Sequence, residues 1–208
     1  MNLSLDGKTA LITGGSSGIG LAIKKALQQE GVNVYDFSRT NNVDLMASEG
    51  MTIINEYINR FDILINNVGG CGTCSYPDWR IAMEKNYGLT NQITMAYLMK
   101  KRRWGRVITI ASIYGKEKGP NPWFTAAKAA QIAFMKSLAG KYKGITFNTI
   151  CPGCINTKSS IKKYAKENNM TLGEPENVAD IVTFLCSDLA SHINGACITV
   201  DGGDSHSF

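Results

Sequence analysis

The sequence is short of several features that mark whole classes of protein. Among its 208 residues there are 5 prolines and 2 histidines, and no apolar run approaches the roughly 18 residues of a membrane span. A transmembrane helix is therefore not expected. The opening, Met1-Asn2-Leu3-Ser4-Leu5-Asp6-Gly7-Lys8, has no basic stretch followed by an apolar core. No secretory signal is read there, and the expected address is the cytoplasm. The two histidines, His192 and His206, complete no metal-ligand pattern. With 44% hydrophobic and 19% charged residues the composition is that of a globular protein, which excludes intrinsic disorder. The length predicts one domain over residues 1–208.

Charge and cysteine narrow the field further. Lys and Arg number 22 against 17 Asp and Glu, a net charge of +5. Much of the excess is local, in Lys100-Lys101-Arg102-Arg103 before Trp104-Gly105. Cations complement the carbonyl end of a helix and Gly105 would stop it, so this run reads as a helix terminus rather than a nucleic-acid patch. No other basic cluster extends it, and no nucleic-acid partner is expected. Six cysteines include two close pairs, Cys71-Gly72-Thr73-Cys74 and Cys151-Pro152-Gly153-Cys154. Two such pairs could build a tetrahedral zinc site. They lie far apart in the chain and each overlaps another motif, so no metal is expected.

Short apolar runs alternate with longer segments of helical period, the pattern of a parallel sheet covered by helices. Thr9–Thr13, Val32–Phe37, Asp62–Ile65, Arg106–Ala111, Thr146–Ile150 and Ala196–Val200 read as strands. One helix is expected to bear Ile19, Ile23, Ala26 and Leu27 and to close at Gly31; another carries Met51, Ile54 and Ile58. Long helices are expected from about Trp79 to Arg103 and from Thr125 to about Lys143, and a further one after Glu174-Pro175-Glu176. The expected fold class is α/β, a doubly wound Rossmann domain.

The turn after the first strand carries the clearest chemistry. Gly14-Gly15-Ser16-Ser17-Gly18-Ile19-Gly20 leaves a buried strand and opens a helix, where backbone N–H groups can approach a pyrophosphate. A tight turn needing φ > 0 would use glycines too. The GxxxGxG spacing after Thr13 resembles the short-chain dehydrogenase/reductase family, in particular its 3-oxoacyl-carrier-protein reductase-like members. The likeness continues through Asn66-Asn67-Val68-Gly69, Asn86 on the long helix, Ile110-Ala111-Ser112 and Ala126-Ala127-Lys128. Pro152-Gly153 followed by Thr157, and Val200-Asp201-Gly202-Gly203, complete it in family order over nearly the whole chain.

The resemblance implies a seven-stranded, mostly parallel sheet, with the helix between strands 2 and 3 shortened or absent. It also implies a dinucleotide held by Gly14, Ser16, Ser17, Gly18, Ile19 and Gly20, by Asn67, Val68 and Gly69, by Lys128, and by Pro152, Gly153, Ile155 and Thr157. Asp44-Leu45 resembles the family's adenine-contacting pair. Where NAD-using members carry an acid after the second strand, this chain has Phe37-Ser38-Arg39. A guanidinium at Arg39, next to Ser38, could pair with a 2′-phosphate, so NADP is expected over NAD. Asp36 reads as an ordinary strand residue.

In the family a tyrosine gives the carbonyl its proton as hydride arrives, and a serine polarises that oxygen. A lysine lowers the tyrosine pKa and holds the nicotinamide ribose, and an asparagine anchors a relay water. Asn86, Ser112 and Lys128 match three of these positions. The fourth holds Phe124, which has no proton to give. Three readings stay open. Tyr114 or a water held by Lys128 donates instead; the protein binds NADP and ligand with little or no turnover; or a tyrosine was exchanged by design to trap a substrate. The implied substrate is a small carbonyl or alcohol, with sugar-derived compounds among the candidates.

The family also implies a homodimer or homotetramer built on the two long helices, where Ile93, Ala96, Met99 and Lys100 could serve interface or core. Cys71 and Cys74 follow the NNVG loop, and Cys151 and Cys154 bracket the Pro152-Gly153 loop. Both sets read either as small pocket-lining residues or as a redox-sensitive or metal-binding mouth. The chain is shorter than typical relatives, and the shortening falls between Arg39 and Asp44 and between Thr157 and Gly173.

Overall fold

The computed structural model describes residues 2–70, 79–99 and 103–207. Six parallel strands form its main sheet: β1 (Thr9–Thr13), β2 (Asn33–Phe37), β3 (Ile63–Asn66), β4 (Gly105–Ile110), β5 (Ile145–Pro152) and β8 (Cys197–Val200). Their order is β2-β1-β3-β4-β5-β8. A two-stranded parallel ribbon, β6 (Cys154–Ile155) with β7 (Leu172–Gly173), stands apart and flanks helix α6 (Ser159–Glu167).

Period-2 alternation sends neighbouring residues of the central strands into two different cores. Ile12, Ile63, Ile65, Ile108 and Ile110 meet Ile23 and Leu27 of α1 (Gly18–Gln29) and Val178, Val182 and Leu185 of α7 (Pro175–Cys186). On the other face, Leu11, Leu64, Val107 and Phe147 meet Ile54 of α2 (Ser48–Tyr57), Leu89, Ile93 and Tyr97 of α4 (Leu89–Leu98), and Met135 and Leu138 of α5 (Pro122–Leu138). Helices thus cover both faces of the sheet, as expected of a doubly wound fold. No helix among the described residues is long and apolar enough to cross a membrane.

Three expectations need correction. Among the described residues the main sheet has six strands, not seven. Between β2 and α2 lie ten residues, Ser38–Ala47, with only a single 3₁₀ turn at Arg39–Asn41. A parallel crossover needs about a dozen residues or more, so no outer strand can be reached and returned from. The helix begun at Trp79 is interrupted: α3 (Trp79–Met83) runs into a π-helical turn at Glu84–Gly88 and then α4, which stops at Leu98 rather than Arg103. Lys100–Arg102 lie outside the described residues. Helix α5 starts three residues early because Asn121 caps it, its side chain accepting from the N–H groups of Trp123 and Phe124, with Pro122 at the first helical position. It ends at Leu138, with Gly140 (φ +81°) just beyond. Ile93 is in the core, whereas Met99 is 81% exposed.

Candidate active site

The loop between β1 and α1 is held from below by two residues of the β3 end. Thr13 Oγ1 accepts from the N–H groups of Asn67 and Val68, and Asn67 Nδ2 donates to the carbonyls of Thr13 and Gly14 at 3.0 Å each. The packing leaves no room for side chains. A Cβ on Gly20 would collide with the Gly14 carbonyl oxygen, and one on Gly14, itself at φ +71°, would sit 3.1 Å from Val68 Cγ2. Gly18, at φ +53°, faces Thr157 Cγ2 at 2.9 Å by the same construction, so the segment between β6 and α6 closes over the start of α1. Ser16 and Ser17 are exposed, and the Ser17 hydroxyl does not cap the helix it precedes. The first N–H groups of α1 therefore face outward from a helix end that favours an anion.

Asp36 proves to be more than a strand residue. Its Oδ1 accepts from Gly15 N–H at 2.7 Å, its Oδ2 from Asn41 Nδ2 at 3.1 Å, and Lys24 Nζ lies 3.8 Å away. The carboxylate is committed to bracing the glycine loop. Ser38 is buried, its hydroxyl 3.0 Å from Thr40 Oγ1, while Arg39 is exposed. Leu45 packs into the core, and Asp44 makes a turn, its Oδ1 accepting from Met46 N–H. The sequence signal for Asp36 was available only as an acid two residues before the usual place.

Around Lys128 the chain comes together from three elements. The Lys128 ammonium is buried and donates to the Ile110 carbonyl at 2.9 Å. Burial pushes its pKa down to about 7. A Cβ on Gly69 would stand 2.8 Å from Asn86 Oδ1 and 3.1 Å from Lys128 Nζ, and Gly70 N–H donates to Asn86 Oδ1 at 3.0 Å. Asn86 lies in the π-helical turn; its own backbone carbonyl accepts from Gln131 Nε2 at 2.6 Å, and Gln131 also donates to Thr90 Oγ1. Gln131 was not singled out from sequence, although it follows Lys128 by three residues and so shares its helix face. One turn before Lys128 sits Phe124, buried, with Lys128 Nζ 5.5 Å from its ring centre. Ser112 caps the 3₁₀ turn Ile113–Gly115, its hydroxyl accepting from Tyr114 N–H.

Tyr114 points into another pair. Its hydroxyl lies 3.0 Å from that of Tyr164 on α6, and burial together with this contact pushes its pKa well up. Both tyrosines line a cleft of about 420 Å³ with Glu117, Asn168, Asn169 and Asp204. Pro152 ends β5, and Gly153 is required beside it because a Cβ there would meet Asp201 Cβ at 2.7 Å. Ile155 is buried in the core. Cys151 and Cys154 diverge: Cys151 Sγ faces Cys197, and Cys154 Sγ faces Met170. Cys71 and Cys74 lie outside the described residues. Among those described, no three His, Cys, Asp or Glu side chains gather as a metal set.

A strand-turn-helix that leaves no room for side chains, set against a buried lysine, an asparagine and a serine, matches known proteins over almost the whole chain. The family described as enoyl-(acyl carrier protein) reductase matches residues 36–205. Acetoacetyl-CoA reductase of Shinella zoogloeoides is 34% identical, with 94% of this chain and 98% of that protein covered. The 3-oxoacyl-(acyl-carrier-protein) reductase FabG of Aquifex aeolicus is 32% identical over 98% and 99%. The chain belongs to the short-chain dehydrogenase/reductase family. It is thereby an oxidoreductase. Among solved short-chain dehydrogenase/reductase-type folds, one from Beutenbergia cavernae superposes with a TM-score of 0.88 at 27% identity, covering 98% of both chains. That protein, provisionally assigned as an NAD(P)-dependent gluconate 5-dehydrogenase, was crystallised with NADP. A short-chain dehydrogenase/reductase from Burkholderia thailandensis superposes at 0.83, also with 27% identity, over 94% of this chain and 92% of the other.

Proposed function

We propose that this oxidoreductase binds NADP(H) and moves a hydride to or from a small, polar carbonyl or alcohol, with sugar-derived compounds the favoured class. The convergence of Gly69, Asn86 and Lys128 carries this reading, because it sets a buried cation and an amide where a strand end opens toward ligand. The residues present fit a dinucleotide. Gly14, Gly18 and Gly20 keep side chains out of the tightest points of the loop, the exposed Ser16 and Ser17 flank the open start of α1, and Arg39 is exposed, able to meet a 2′-phosphate. Asn67, Val68 and Gly69 would border the nicotinamide side with Pro152, Gly153 and Thr157. When bound, the cofactor supplies or accepts the hydride. Lys128 then orients the ribose, Ser112 polarises the substrate oxygen, and Asn86 fixes the strand end through Gly70.

The cleft at Tyr114, two residues beyond Ser112, is taken as the substrate entrance. Pro120 and Met170 are among its lining, but its phenols, amides and carboxylates favour a hydroxylated substrate over a long acyl chain. The acyl-thioester relatives argue the other way by name, so a substrate panel separates the two classes. A second reading, cofactor binding with little turnover, rests on Phe124: the position one turn before Lys128 offers no proton. The test is NADPH and NADH oxidation with hydroxylated and acyl-thioester carbonyls, alongside nucleotide titration of Arg39→Ala. We expect turnover on the hydroxylated panel and roughly tenfold weaker NADPH binding in the variant, with NADH little changed. Binding without turnover on any carbonyl supports the second reading. Binding of neither nucleotide overturns both.

A further inference from the structure

The four described cysteines do not share one environment. Cys186 is fully enclosed, and burial pushes its thiol up to about 12. Cys154 is buried beside the Met170 sulfur at 3.6 Å. The remaining two sit across neighbouring parallel strands, where Cys151 faces Thr199 and Cys197 faces Thr149, and their sulfurs are 3.3 Å apart. Neither has a part in the hydride chemistry proposed above.

We propose that Cys151 and Cys197 form a peroxide-reactive dithiol that closes reversibly into a disulfide directly behind Ser112. Two cations stand around Cys197. Lys116 Nζ donates to Thr199 Oγ1 at 3.0 Å, two residues along the same strand, and Lys136 Nζ donates to the Gly195 carbonyl at 2.9 Å. The hydrogen bond from Cys151, and then these charges, hold Cys197 below the ordinary thiol range against the opposing effect of burial. The same contact and burial push Cys151 up. Cys197 is half-buried and Cys151 fully enclosed, so an oxidant arriving from solvent meets Cys197 first. Cys197 is the nucleophile and Cys151 the resolving thiol.

Closure needs the sulfurs to approach from 3.3 Å to about 2.05 Å. Because Cys197 is in register with Thr149, two residues before Cys151, it also needs strand β8 to slide along β5 and bring the two backbones closer. Strand β8 is the last of the sheet and, among the described residues, pairs with β5 alone, so it can shift without breaking a second ladder. The Ser112 backbone acts on the Cys151 thiol, partly opposing its rise, which ties the pair to the proposed active site. In the first step the Cys197 thiolate attacks one peroxide oxygen and becomes a sulfenic acid, while the other oxygen leaves as hydroxide and is protonated to water. The Cys151 thiol then displaces the sulfenic hydroxyl as a second water. Two thiols and one peroxide give one disulfide and two waters, the two sulfurs losing the two electrons that the O–O bond gains.

The test treats the reduced full chain with equimolar hydrogen peroxide, alkylates the remaining thiols and maps the peptides by mass. We expect a Cys151–Cys197 cross-linked pair, reversed by dithiothreitol, before alkylation falls at Cys154 or Cys186. Cys151→Ser should leave a dimedone-reactive Cys197, and Lys116→Gln should slow its oxidation several-fold. A cross-link through Cys71 or Cys74 instead, or a Cys197 oxidised no faster than Cys186, overturns the proposal. The mass readout needs no turnover, so its outcome is separable from that of the oxidoreductase reading.

Discussion

The two ends of the proposed active site are built on different terms. At the glycine loop, the backbone itself does the holding: Thr13, Asn67 and Asp36 tie one strand end to the next, and glycines are required because there is no space for anything else. At the proposed substrate end, the geometry hangs on individual side chains. Phe124 presents a hydrocarbon ring to Lys128, and the nearby Tyr114 hydroxyl is occupied by Tyr164 of α6. A binding cradle made of backbone tolerates changes of side chain around it. A proton-transfer site does not, because one missing hydroxyl removes the step it served.

That contrast can be broken most forcefully at Phe124. Phe124→Tyr places a phenol beside the Lys128 ammonium, and turnover should rise about 10²–10⁴-fold with nucleotide affinity unchanged. A steady-state assay checks it; an unchanged rate with intact binding would put the proton on Lys128 or its water instead. The opposite half is probed by Gly20→Ala. Its Cβ would strike the Gly14 carbonyl, and overpacking of this kind costs roughly 1–3 kcal/mol, so NADPH should bind about ten- to hundredfold more weakly. Fluorescence titration would reveal a loop that can relax if the affinity holds.

A smaller effect should come from pH. Lys128 has its folded pKa lowered to about 7 from 10.5, so between those values the unfolded chain binds more protons than the folded one. Stability must then rise with pH, by on the order of 2 kcal/mol from pH 6 to pH 9. Urea midpoints across that range measure it, and Lys128→Met should flatten the slope. A wild-type slope equal to that of the variant would mean that the ammonium is better solvated than its burial implies.

Much of the fold was legible because its signals are local. Leu11 and Ile12 alternate within one strand, Pro175 opens a helix, and each of the six strands read from sequence is present. The seventh strand came from the resemblance alone, and the ten residues after β2 are too few to form it. In the site, the motif residues around Gly14, Asn86 and Lys128 were legible as a set. The contacts that were not legible all join distant parts of the chain. Asp36 reaches Gly15, Tyr114 reaches Tyr164, and Cys151 finds Cys197 rather than Cys154, three residues away. A CxxC spacing suggests nearness along the chain, but in extended backbone it carries the two thiols to different neighbours.

Among the described residues, the lost outer strand leaves β2 as an edge of the sheet, with Tyr35 at 52% exposure. Such an edge is a template on which a strand of another molecule can grow, and folded proteins that leave one open risk aggregation. Here the shortened connection bends back over it. The Asn41 side chain donates to the Asp36 carbonyl, capping an outward-facing acceptor of the edge. The turn therefore covers part of the edge as well as bracing the glycine loop, and Asn41→Ala is expected to show its cost first in clumping at high concentration, followed by light scattering, rather than in the fold.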